Sequence, residues 1–163
     1  MNLTKQHLGY TLIELMLSLA ILSILAALAV PMLGNEDKLQ TEVTRRLLTS
    51  DLEYAQILAI SYPEEEIALI IKTENNGWHI ADTDSPDVPM IDDVTQEPLS
   101  LLLGEGAAAC AESVTVSSNT DNQMVVFDQN GGLKDFTQPV DITVNSGDTY
   151  VVIQINPMTG TIN

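Results

Sequence analysis

The chain has 163 residues, enough for one domain of about 100–150 residues plus an appendage, which excludes a large multidomain enzyme. Six Lys and Arg against 23 Asp and Glu give a formal net charge of −17, a surface that repels phosphate backbones and argues against nucleic acid as a partner. The lone cysteine, Cys110, excludes an intrachain disulfide, and with His7 and His79 the only histidines, a His-based catalytic or metal site would rest on His79 almost alone.

Apolar residues are concentrated early. Residues 15–33 carry no charge over 19 positions, and as a helix this run spans about 28 Å, close to a hydrocarbon core of about 30 Å. Lys5 lies in the short polar leader before it, so positive-inside bias keeps the N-terminus cytoplasmic and sends the remainder across. Lys38, Arg45 and Arg46 follow soon after and weaken that bias. A secretory signal peptide cut after Ala27-Leu28-Ala29 is the plain alternative. Glu14 argues against it, because a carboxylate at the membrane-embedded start of an apolar helix costs about 3 kcal/mol unless something pairs with it.

The segment Gly9-Tyr10-Thr11-Leu12-Ile13-Glu14, followed by an apolar helix and then Pro31, resembles the N-terminus of type IV pilin-like prepilins. The resemblance implies cleavage by a prepilin peptidase between Gly9 and Tyr10, N-methylation of Tyr10 by the same enzyme, and a subunit-assembly role for Glu14, which would be the fifth mature residue. The physical logic is independent of the family name. Cleavage creates an amine at Tyr10 in or near the bilayer, and a neighbouring subunit displaced along a filament axis can offer its own amine to Glu14. Such a buried pair sets register even where desolvation cancels much of its attraction.

Helical spacing continues with Leu39, Val43, Leu47, Leu52, Ala55, Leu58 and Tyr62, a stripe facing a core, with Glu42, Arg45, Arg46 and Glu53 on other faces. Pro63 is the stop. A helix from Thr11 to Tyr62 would run about 78 Å. Pro31 and Gly34-Asn35 predict a kink between its two halves.

From Glu64 the pattern becomes strand-like. Ile67 to Ile71 and Gly77 to Ile80 read as a hairpin around Asn75-Asn76-Gly77. Val114 to Val116, Met124 to Phe127, Val140 to Val144 and Tyr150 to Ile155 read as further strands. Asn130-Gly131-Gly132, Ser146-Gly147-Asp148 and Asn156-Pro157 mark turns. The expected class is α+β and pilin-like: a long N-terminal helix, half transmembrane and half amphipathic, packed on a C-terminal antiparallel β-sheet domain. Its divisions are a leader at 1–9, a transmembrane segment at 10–34, an amphipathic half at 35–63 and a β-rich globular domain at 64–163.

The downstream order, Gly77-Trp78-His79-Ile80 with Asp82, then Val126-Phe127-Asp128 with Gly131 or Gly132, then Thr159-Gly160, resembles minor pseudopilins of GspH type and their FimT-type pilus relatives. That resemblance implies a minor pseudopilin of a type II secretion system, at or near the tip of the periplasmic pseudopilus. It implies a single-pass bacterial inner-membrane protein whose C-terminal domain is periplasmic. Implied partners are other major and minor pseudopilins, the prepilin peptidase/methyltransferase, the inner-membrane assembly platform and, before assembly, membrane lipid. The pilus alternative is a FimT-like minor pilin that primes type IV pilus assembly. A third reading, from another class, is a secreted binding module with a conventional signal peptide. DNA-binding members would be expected to carry a basic tail, yet no Lys or Arg follows Tyr150.

Other features read as ordinary structure. Asp82 to Asp93 has Asp at positions one, three and twelve of a calcium-loop alignment, but Pro86 and Asp87 occupy the fifth position and the one where the sharp turn needs glycine, so a solvated loop is the expectation. Glu64-Glu65-Glu66 reads as a solvated helix exit, Trp78 and Phe127 as core anchors and Cys110 as a passive small residue. No nucleophile-turn or phosphate-loop motif is present, so no catalytic residues, no metal and no cofactor are expected.

Overall fold

A computed structural model of the chain describes residues 11–29, 36–73 and 76–163. The chain divides into two compact units, residues 1–36 and 37–163.

In the first unit, helix α1 runs over Leu12–Ala29. It is rich in Leu, Ile and Ala, with no Gly or Pro to interrupt it. Thr11 caps it, its Oγ1 accepting the Glu14 N–H at 3.3 Å. The two serines within it turn back on the helix, Ser18 Oγ donating to the Glu14 carbonyl and Ser23 Oγ to that of Ala20, each at 2.8 Å. The kink expected at Pro31 and Gly34 lies outside the described residues.

In the second unit, helix α2 spans Glu36–Ser61 and buries Thr41, Thr44, Leu48, Leu52, Ala55 and Ala59. Their spacing of threes and fours makes one face. This corrects the expected stripe. Leu52 and Ala55 belong to it, but Leu39 is 63% exposed, Val43 is half-buried, and Leu47 and Leu58 only flank the core. Hydropathy missed the true stripe because its first two members are threonines. The helix stops as Pro63 requires, the Tyr62 N–H closing on the Leu58 carbonyl at 2.8 Å.

Among the described residues seven strands follow. β1 (Ile67–Lys72) and β2 (Gly77–Asp82) form the expected hairpin, pairing Ile67 with Asp82 through Lys72 with Gly77. β3 (Ser100–Leu102) joins β2, and β5 (Met124–Val126) joins β1, giving an antiparallel sheet of order β3-β2-β1-β5. β4 (Thr115–Ser118), β6 (Val140–Ser146) and β7 (Thr149–Ile155) form a second antiparallel sheet of order β4-β6-β7. The sequence suggested a single sheet. β3 and the 3₁₀ segment Gly106–Ala111 are too short to leave a periodic signal.

Both sheets turn their inner faces into one cluster with α2: Leu48 and Leu52 meet Leu69, Trp78, Val125 and Ile142, among others. β1 shows no alternation because its other face is covered too, Ala68, Ile70 and Ala81 packing with Met124 and Val126. Two glycines are needed where they sit. At Gly77 a Cβ would run into the Leu101 carbonyl of β3, so this residue serves strand approach and opens β2 rather than forming the turn. Gly147 takes φ +55 as the first central residue of the β6–β7 turn, where a Cβ would also press on Asp37 Oδ2 at 2.7 Å.

Candidate functional site

The candidate site is an exposed apolar helix rather than a cavity. Every described side chain of α1 is exposed, from Leu12 and Ile13 at 76% to Ile21 at 51%. A helix that is apolar on all sides is stable only among other apolar groups, in lipid or against other helices. Among the described residues no helix is long and apolar enough to cross a membrane. The described helix ends at Ala29, and Val30 to Leu33, the last part of the apolar run, lie outside the description. Glu14 sits in the first turn, where the helix dipole favours an anion. No cation approaches it among the described residues. Gly9 and Tyr10 lie outside the described residues.

In the globular unit the structure brings together groups that spacing did not connect. Tyr54 on α2 and Tyr62 just past its end donate to Asp92 Oδ2 at 2.8 Å and Asp93 Oδ2 at 2.7 Å. They tie the long β2–β3 connection to the helix. Asp92 also accepts the N–H groups of Val94 at 2.9 Å and Thr95 at 2.6 Å. The backbone donation from Thr95, followed by the Tyr54 hydroxyl, holds its carboxyl down at about 2. Asp82, by contrast, caps Asp84, so the acidic run is spent on turns and tethers. Among the described residues no group of three or more His, Cys, Asp or Glu is arranged to hold a metal ion.

Beside that tether lies an open cleft of about 300 Å³, lined by Asp51, Tyr54, Asp92 and Glu97 together with Leu99 and Leu101. Asp51 accepts the Trp78 indole N–H at 2.6 Å. Burial pushes its carboxyl up and the indole pulls it back. Farther along α2, Gln56 Nε2 donates to the Gly131 carbonyl at 2.5 Å and to that of Gly160 at 3.3 Å, binding two loops to the helix.

His79 is buried, its Nε2 at 2.7 Å from the Pro86 carbonyl and its Nδ1 unpartnered. Desolvation is the main cause of its lowered pKa. It fastens the loop over β2. Trp78 and Phe127 are core residues. Two minor features gain detail. Glu66 is exposed, pairs with Lys134 and accepts from Thr83. Cys110 is exposed, while Ala108 and Ala111 of the same 3₁₀ segment point inward.

Comparison with known proteins places this architecture. Residues 4–30 match the prokaryotic N-terminal methylation motif, and residues 44–160, well over half of the chain, match the family described as type II transport protein GspH. The chain belongs to the GspH family. It is thus a GspH/FimT-type, type IV pilin-like minor subunit, which accounts for an apolar helix attached to a two-sheet domain. The fold of this GspH-family chain is also that of the Pseudomonas aeruginosa (strain PAO1) type IV minor pilin FimU. The match covers 77% of this chain and 88% of that one, at 17% identity and a TM-score of 0.54. No curated protein matches the sequence.

Proposed function

We propose that this GspH-family chain is a minor pseudopilin of a type II secretion system, a structural subunit rather than an enzyme, at or near the tip of a periplasmic pseudopilus. The observation that carries the reading is Glu14, an exposed carboxylate in the first turn of an otherwise apolar helix. Cleavage between Gly9 and Tyr10 leaves a methylated amine at Tyr10 and a single-pass anchor in the bacterial inner membrane, with the acidic domain outside. The prepilin peptidase/methyltransferase processes the chain, and the inner-membrane platform adds it to the filament. A carboxylate in an apolar surrounding costs least beside a cation, and the amine of an adjacent subunit is one that arrives only on assembly. A subunit that keeps this carboxylate therefore lies below at least one other subunit.

The test substitutes Glu14→Leu in the native host. Insertion becomes easier by about 3 kcal/mol, so membrane-fraction abundance holds or rises. Crosslinking to neighbouring pseudopilins falls to background. Unchanged crosslinking refutes the pairing role, and loss of membrane-located protein shows that Glu14 stabilises the subunit itself. The likeness to FimU, a type IV minor pilin, supports the second reading, a FimT-like minor pilin. Deletion separates the two: loss of secretion with pili intact favours the pseudopilus, and the converse favours the pilus.

A further inference from the structure

The second sheet manages its two edges differently. At the β4 edge the side chain of Gln123 imitates a strand, its Oε1 accepting the Ser118 N–H at 2.7 Å and its Nε2 donating to the Ser118 carbonyl at 2.9 Å. At the far end of β7 the segment 161–163 pairs with the strand. Gln154 and Asn163 exchange N–H···O bonds at 3.1 and 2.9 Å, and the Asn156 N–H reaches the Thr161 carbonyl at 2.9 Å. In the first sheet, the edge strands β3 and β5 are three residues each, and short edges template little.

On β7, among the described residues, a stretch is left open. The β6–β7 turn pairs Ser146 with Thr149, so ladder bonds to β6 come from Thr149, Val151, Ile153 and Ile155. The alternate residues point their N–H and C=O the other way. Gln154 does so toward Asn163. Tyr150 and Val152 do so toward nothing among the described residues, presenting two donors and two acceptors in strand register. Their side chains are 68% and 44% exposed, opposite Asn145 and Thr143 of β6. Asp148 precedes this stretch, Asp141 of β6 beyond it already accepts from Gln154 Nε2 at 2.9 Å, and no Lys or Arg follows Lys134.

We propose that the β7 edge at Tyr150–Val152 is a docking site for an extended strand of a different protein. That strand adds antiparallel to the sheet, sets apolar or β-branched side chains beside Tyr150 and Val152, and brings a basic residue toward Asp148. The backbone groups call for a strand. The charge argues against a second copy, since each chain carries −17, and like charges brought together oppose pairing.

The probe is a blocked pentapeptide, KVTVK, added to the full chain in neutral detergent micelles, with amide exchange followed residue by residue. At saturating peptide the Tyr150 and Val152 amides should exchange at least about fivefold more slowly. Val152→Pro should weaken binding about tenfold. The Val152 N–H points away from β6, so proline there removes an edge donor without breaking the β6 ladder. Unchanged exchange at both amides overturns the proposal, whatever the variant does. Equal binding of the acidic peptide EVTVE also overturns it, by removing the charge argument. So does sedimentation showing a dimer that Val152→Pro abolishes, because the occupant is then a second copy.

Discussion

At the scale of single residues, two polar contacts hold α2 to what packs on it. Trp78 is buried with its indole N–H committed to Asp51, and a buried donor deprived of its acceptor costs about 1–3 kcal/mol. Asp51→Ala should therefore lower the unfolding free energy by about that amount in denaturant titrations, with Asp51→Asn, which keeps an acceptor, losing less. Asp92 supplies a pH signature. Its pKa falls from an ordinary 3.8 to about 2 on folding, so the stability it contributes is complete above 3.8 and is lost as the pH falls from there through about 2. A carboxyl-carbon NMR titration should show a midpoint near 2. Tyr54→Phe should move it only partway up, because the Thr95 N–H is the larger influence. A midpoint at the ordinary carboxylate value in the unaltered chain would refute the tether.

At the scale of elements, α2 shows how much of the candidate site and core could be read in advance. The hairpin of β1 and β2, the later strands and the Pro63 stop were legible because alternation, turn residues and a missing N–H act locally. The helix's buried stripe was only half legible. Thr41 and Thr44 are fully buried, and hydropathy gives threonine no weight as core. Their hydroxyls fare differently, Thr41 donating to the Asp37 carbonyl at 2.7 Å while Thr44 Oγ1 has no partner. Thr44→Val should raise the unfolding free energy by about 1 kcal/mol, since it removes an unsatisfied buried hydroxyl at equal volume. Thr41→Val should bring no gain. Equal effects in thermal and denaturant unfolding would contradict this account of the stripe. The Tyr54–Asp92 and Tyr62–Asp93 pairs were invisible in the sequence, because their partners are 38 and 31 residues apart and nothing local links them.

At the scale of the molecule, the two units differ in what they expose: the described side chains of α1 are all exposed, whereas the second unit encloses a core. The buried core of the second unit draws on residues from Thr41 onward, so a fragment beginning at Asn35 should fold as a soluble acidic monomer with mixed helix and strand circular dichroism. A wholly helical or unfolded spectrum would contradict the architecture. The sequence by itself determined the apolar run, the Glu14 carboxylate, the α+β class and most strand positions, since charge, periodicity and turn chemistry are properties of neighbouring residues. Only the tertiary structure decided that the strands divide into two sheets, that Asp92 and Asp93 accept from Tyr54 and Tyr62, and that β7 keeps an open edge. Each of these depends on which distant groups satisfy a given donor or acceptor, and that is settled only when the chain packs.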